Sequence, residues 1–193
     1  MPLKQERTVI TEEEYLMGED ISEIRHEFID GEVYAMSGAS KNHERIAGNI
    51  YRKIGNFLDN SPCEPFSSDV KVKVGKKFFY PDAMVVCDDQ TNHDYYTESP
   101  TLIVEVLSKT TRRMDETIKR KAYQSISTLQ EYLLIEQYFV NVEVCRRSEN
   151  WQSTHYSVGD EFTLDSIGFT MSVDELYQRV VYEDVLFGLD VVS

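Results

Sequence analysis

Two carboxylates that stand inside stretches otherwise reading as buried strands constrain this chain more than any other feature. Asp82 follows Tyr80-Pro81 and precedes Ala83-Met84-Val85-Val86, and Glu105 lies within Thr101-Leu102-Ile103-Val104-Glu105-Val106-Leu107-Ser108. An ionised carboxylate taken out of water is costly unless it is paired or holds a metal. Two acids so placed suggest one shared cation.

The surrounding sequence supplies a scaffold for them. Thr11-Glu12-Glu13-Glu14 has the spacing of a capping box and predicts a short helix. Asp30-Gly31, between His26-Glu27-Phe28-Ile29 and Glu32-Val33-Tyr34-Ala35-Met36, predicts a two-residue hairpin. Ile46, Ala47, Ile50, Ile54, Phe57 and Leu58 form one stripe of a long amphipathic helix over residues 42–59. Val70, Val72 and Val74 alternate with Lys71 and Lys73, predicting a strand whose lysines face water. The run from Phe78 to Cys87 reads as one central strand, with Pro81 at its start or at a bulge. Residues 88–100 read as an exposed loop. The strand around Glu105 precedes a helix from about Thr111 to Ser125, for which Met114, Ile118, Ala122 and Ile126 are the expected inner stripe. Two more strands, Glu131 to Ile135 and Phe139 to Cys145, precede a peripheral hairpin across Gly159-Asp160. Ser172-Val173-Asp174-Glu175 then starts a C-terminal helix.

The expected class is α/β with a mixed sheet, in a single domain over residues 1–193, a length that buries a sizeable core. The net charge of −14 works against non-specific attraction to DNA or anionic lipid, so a nucleic-acid substrate would require metal and local basic patches. Lys71, Lys73, Lys76 and Lys77 form one such patch, and Arg112, Arg113, Lys119, Arg120 and Lys121 another. Cys63, Cys87 and Cys145 are widely spaced and odd in number, and read as buried thiols in a reducing cytosol. No apolar run is long enough to span a bilayer, so the expected location is cytoplasmic, with no membrane partner.

Asp82 and Glu105 offer the hard oxygen ligands that Mg²⁺ or Mn²⁺ prefers. Phosphodiester hydrolysis needs such an ion to offset charge on the pentavalent phosphate and to acidify the attacking water. A lysine completes the set, orienting or deprotonating the water or stabilising the transition state. Asp115, Lys119 and Tyr123 are spaced by four on the helix after Glu105, so Lys119 can reach back to the strand ends. The same spacing suits a solvated helix pair worth only a few tenths of a kcal/mol. His43 opens the long helix, where it either faces the site or is a surface histidine. Glu27 or Glu32 on the hairpin could add a third acid, and Asp69 is either an edge charge or a partner supporting the metal site.

In this order Asp30-Gly31-Glu32-x-Tyr34-x-Met36-x-Gly38-Ala39-Ser40, His43, Ser68-Asp69-x-Lys71-Val72, Tyr80-Pro81-Asp82, Glu105-Val106-Leu107-Ser108, Asp115-x-x-x-Lys119-x-x-x-Tyr123 and Leu129-Gln130-Glu131-Tyr132 resemble the Uma family of restriction-endonuclease-like proteins, within the PD-(D/E)XK nuclease superfamily. The resemblance covers residues 10–180 and implies a restriction-endonuclease-like central sheet flanked by helices, cleaving DNA phosphodiesters. It implies Asp82 and Glu105 as catalytic metal ligands and a catalytic lysine. The superfamily motif places that lysine two residues after the second acid, where this chain has Leu107. The resemblance implies that the function has moved to the following helix, to Lys119, with Lys121 as the fallback. It also implies a catalytic place for His43, where other superfamily nucleases carry a helical glutamate. A homodimer is expected, because two-fold pairs suit cleavage of both strands. The alternative is a nuclease-fold dimer that binds or regulates without cleaving.

Overall fold

The computed structural model describes residues 9–91 and 93–182; the ends of the expected single domain and Asn92 in the 88–100 loop lie outside the described residues. Helix α1 (Glu12–Ile21) is capped by Thr11, whose hydroxyl accepts from the Glu14 N–H while the Glu14 side chain takes the Thr11 N–H. Strands β1 (His26–Ile29) and β2 (Glu32–Ala35) form the expected hairpin. Asp30 (φ 50°) and Gly31 (φ 96°) both lie at positive φ, as a tight turn matched to strand twist requires.

Helix α2 (Lys41–Leu58) buries Ile46, Ile50, Ile54 and Leu58, spaced by four. Each such side chain contributes roughly 1.5–3 kcal/mol by leaving water. Phe57 departs from the expected stripe: it is exposed and packs its ring against Phe169 at 5.2 Å.

The run expected as one strand from Phe78 to Cys87 is two. Strand β3 (Glu64–Ser67) precedes β4 (Lys71–Val74), β5 (Lys77–Phe79) and β6 (Ala83–Val86), followed by β7 (Tyr96–Thr97) and β8 (Leu102–Leu107). Strand β5 belongs to a five-stranded sheet ordered β2-β1-β5-β4-β7. Strand β6 belongs to a six-stranded sheet that also takes in β9 (Glu131–Glu136), β10 (Val142–Arg146) and β11 (Ser153–Tyr156), ordered β11-β10-β9-β8-β6-β3. Tyr80-Pro81-Asp82 is therefore the crossing between the sheets, where Pro81 removes no ladder bond.

Pairing of β8 with β9 is parallel and the other neighbours in the six-stranded sheet are antiparallel, a mixed sheet as expected. Alternation along its strands feeds two cores. Val104, Val106, Leu133 and Ile135 pack with the α2 stripe, and Ile103, Leu107 and Leu134 pack with Val72, Phe79 and Tyr123.

Several local expectations are corrected. The peripheral hairpin is β12 (Glu161–Leu164) with β13 (Phe169–Ser172), because β11 pairs with β10 at the edge of the large sheet. The C-terminal helix is a single turn, α4 (Val173–Leu176), capped by Ser172. Part of the 88–100 loop is the short strand β7, paired parallel to β4, with Thr97 and Ser99 buried. Lys71 is buried, its ammonium donating to the Tyr80 hydroxyl at 3.2 Å and lying over the Tyr95 ring. Burial lowers its pKa against the opposing pull of Glu19 and Asp20. Cys63 and Cys87 are bonded, leaving Cys145 as the free, buried thiol. Glu64 pairs with Val86, so the two cysteines fall opposite one another one step beyond that ladder. The bond removes the basis on which cysteine usage pointed to a reducing compartment. Among the described residues no helix is long and apolar enough to cross a membrane.

Candidate active site

Ala83 pairs with Val104 at the end of the β6–β8 ladder, so Asp82 is the next residue opposite Glu105. Asp82 is the last residue of the crossing between the sheets, one step before the first paired residue of β6. Its Oδ2 accepts the Val106 N–H at 2.7 Å and lies 3.3 Å from His43 Nε2, which arrives from the first turn of α2. Burial lowers the His43 pKa, but the Asp82 carboxylate, with Glu44 and the Val106 main chain, outweighs it and raises the pKa overall. His43 Nδ1 is buried with no hydrogen-bond partner among the described residues.

Glu105, opposite Asp82 across the β6–β8 pair, lies under the segment that follows β8. That segment is a π-helix (Met114–Lys119) running into α3 (Arg120–Gln124). Its wider i→i+5 turns keep Asp115, Lys119 and Tyr123 in register, and all three are buried. This reverses the expected packing: Ile118, assigned to the inner stripe, is 44% exposed, while Ile126 alone of that set is buried.

The inward polar row meets Glu105. Lys119 Nζ lies 3.0 Å from Glu105 Oε1, 2.8 Å from Glu27 Oε1 and 3.2 Å from Asp115 Oδ1. The Tyr123 hydroxyl also donates to Glu105 Oε1, at 3.0 Å. Both donors to Glu105 fall on Oε1, so Oε2 is the oxygen left to coordinate a cation. Glu27 comes from β1 and also accepts the Tyr80 N–H at 3.2 Å, tying the cluster to the crossing that carries Asp82.

Three carboxylates around one ammonium, with Asp82 and its imidazole nearby, leave the site rich in negative charge. Burial, reinforced by the surrounding acids and opposed by Lys119, holds the Glu105 pKa well above the usual carboxylate range. Burial would lower the Lys119 pKa, but Glu105, Glu27 and Asp115 raise it well above that of a free lysine. The ammonium is therefore firmly protonated.

This donor set fits a hard divalent cation in chemistry, since it is oxygen-rich and over-negative. Among the described residues no three or more Asp, Glu, His or Cys side chains form a ready cage. Mg²⁺ commonly rests on one or two carboxylates and completes its shell with water and substrate phosphate, so Asp82 and Glu105 are the residues that would hold it.

The other sequence candidates stay apart. Lys121 is exposed and, among the described residues, forms no ion pair with the acids. Glu32 is exposed on the hairpin, accepting from the Tyr34 hydroxyl. Asp69, with its side chain 81% exposed, pairs with Arg25. The two basic patches are largely consumed by ion pairs: Lys73 with Glu12 and Glu98, Lys77 with Asp30, Arg112 with Glu116 and Glu136, and Arg120 with Glu143. Sequence reasoning gave Asp115 and Tyr123 only as companions of Lys119; their burial was the missing information.

Residues 12–174 match the Uma2 family, described as "Putative restriction endonuclease". Two uncharacterized proteins of Synechocystis sp., slr1290 and sll1609, are 34% identical over 179 residues and 35% identical over 157. The first alignment covers 90% of this chain and 94% of the relative, the second 79% and 83%. The fold is also that of a crystal structure from Anabaena variabilis titled a putative nuclease belonging to DUF820, with a TM-score of 0.72 at 17% identity over 89% of this chain and 99% of that one. A mixed sheet flanked by helices, a family match across most of the chain and relatives similar over nearly their full length agree: the chain belongs to the Uma2 family.

Proposed function

We propose that this chain is a divalent-metal-dependent DNA endonuclease that hydrolyses phosphodiester bonds through Asp82, Glu105, Lys119 and His43. The supporting observation is the lysine geometry: an ammonium from the segment after β8 lies 3.0 Å from Glu105, although the motif position two residues on holds Leu107. The family description and the fold of the Anabaena variabilis protein point the same way.

When bound, Mg²⁺ or Mn²⁺ supplies charge compensation at the phosphate and a more acidic water. The chain's residues do the rest. Asp82 and Glu105 converge from adjacent strands on one substrate phosphate. Because Lys119 is held as an ammonium, it acts as a fixed positive charge and hydrogen-bond donor rather than as the base. His43, braced by Asp82, can pass a proton to or from the reacting oxygens. Water oxygen bonds to phosphorus, the bond to the leaving sugar oxygen breaks, and that oxygen ends protonated. The working unit in this reading is one domain in a two-fold pair.

A second reading, binding or regulation without cleavage, is favoured by one observation. Glu27, Glu105 and Asp115 already converge on Lys119, so the ammonium partly satisfies the acids from within. Plasmid nicking with Mg²⁺ or Mn²⁺ separates the two. Cleavage is expected for the wild-type chain, with a loss of at least about a hundredfold in Asp82→Ala and Glu105→Ala. Absence of cleavage across metals and DNA forms, or cleavage that persists in both variants, overturns the catalytic reading.

A further inference from the structure

The polar contacts around Asp82 close on themselves through a residue outside the proposed chemistry. Gln137, directly after β9, is 3% exposed. Its Nε2 donates to the Leu107 carbonyl at 2.9 Å, and its Oε1 accepts from the Ser40 hydroxyl at 2.5 Å. Ser40 is the N-cap of α2, and its Oγ accepts the His43 N–H at 3.1 Å. His43 Nε2 lies 3.3 Å from Asp82 Oδ2, which takes the Val106 N–H at 2.7 Å, and Val106 is bonded to Leu107. The circuit runs through the ends of β6, β8 and β9 and the first turn of α2.

Its purpose follows from what the apolar core leaves undetermined. The isoleucine stripe of α2 fixes which face lies on the sheet, but apolar burial is non-directional and tolerates a small slide along the helix axis. Such a slide would carry His43 past Asp82. Hydrogen bonds are directional over a few tenths of an ångström, and a buried amide that loses one leaves a costly unpaired group. Gln137 is the one buried side chain in the circuit that touches both the helix cap and the strand end. Among the described residues its side-chain hydrogen bonds go to Leu107 and Ser40, not to Asp82, Glu105 or Lys119.

We propose that Gln137 is a positioning residue that locks the N-terminus of α2 to the end of β8 and so sets His43 against Asp82. The inference rests on the reading of Asp82 as a site acid. The test is amide hydrogen exchange on the full chain, which reads the circuit whether or not the protein cleaves DNA. In Gln137→Met, exchange at the His43 and Val106 N–H groups rises by about tenfold, while Leu133 and Leu134 in mid-β9 keep their rates. In the double variant with Ser40→Ala, the two sites exchange no faster than in Ser40→Ala alone, because both changes cut one link. A uniform rise over all strands, an unchanged Val106, or effects that multiply in the double variant overturns the proposal. Should Gln137→Met fail to fold, Ser40→Ala, at an exposed position, carries the same expectation at Val106. In a cleaving wild-type chain Gln137→Met lowers kcat with KM unchanged. A wild-type chain that cleaves nothing removes the nuclease reading and leaves the exchange result standing.

Discussion

Two glutamates are buried on neighbouring strands of the same sheet, and their surroundings are opposite. Glu131, at the start of β9, is met by donors only: Arg146 Nε at 3.2 Å, the Asp165 and Ser166 N–H groups at 3.1 and 2.9 Å, and the Ser166 hydroxyl. Arg146 is shared as well, with Glu149 and Asp165, but those two side chains are largely in water, whereas Glu105, on β8, shares its one ammonium with Glu27 and Asp115, both buried. The first arrangement is closed, and its work is to hold the β12–β13 hairpin onto the sheet. The second gathers three buried carboxylates around one ammonium, as a site that takes up a divalent ion and a phosphate needs. Burial alone does not separate structure from function here. Whether the competing carboxylates sit in water or in the core does.

The strongest way to break this comparison is to swap the losses. Glu105→Gln should abolish cleavage, by about a hundredfold or more, yet leave thermal stability unchanged or raised, because it removes a charge the fold strains to accommodate. Glu131→Gln should leave cleavage within about twofold and cost roughly 2 kcal/mol, since it removes the buried charge that takes the Arg146, Asp165 and Ser166 donors. If cleavage assays and thermal melts gave both variants the same pattern, the contrast between the sites would be wrong.

The next effect is covalent and lies outside both clusters. The Cys63–Cys87 bond closes a loop of 24 residues, and opening it should cost about 3 kcal/mol. Melts with and without reductant test this, and the loss should be equal in wild type and Glu105→Gln.

A pH series sharpens the comparison further. The Glu105 pKa is raised in the folded state, so the native chain holds a proton that the unfolded chain releases near the ordinary carboxylate value of 4.5. Its contribution to stability is complete below that pH and is lost as pH rises through the folded value. Denaturant melts across that window should show a stability slope that Glu105→Gln flattens. The smallest expected effect is at Lys121, exposed and apart from the cluster: Lys121→Ala should change stability by less than about 0.5 kcal/mol and leave cleavage unaltered.

Local chemistry made much of the scaffold legible. Asp30-Gly31 gave the hairpin, the isoleucine spacing gave α2, and the apolar runs around Asp82 and Glu105 marked their strands. What escaped depended on contacts distant in sequence or on a changed period. The π-helix alters the helical repeat, so a stripe counted at ordinary spacing put Ile118 inside and left the row of Asp115, Lys119 and Tyr123 undecided. Pairing of β3 with β6 brings Cys63 to Cys87, and no local pattern announces it. Glu27 resembled any hairpin acid until the crossing at Pro81 laid its sheet beside Lys119. Lys71 read as wet because the strand alternates, and the Tyr95 segment and α1 cover it.

The most direct test is Mn²⁺ binding to the full chain, followed by calorimetry, in wild type, Asp82→Asn, Glu105→Gln and Glu131→Gln. A single saturable site in the wild type and in Glu131→Gln, lost in the other two, is the predicted result. No binding in the wild type, or binding that survives in both Asp82→Asn and Glu105→Gln, would contradict a cation site shared by the two acids.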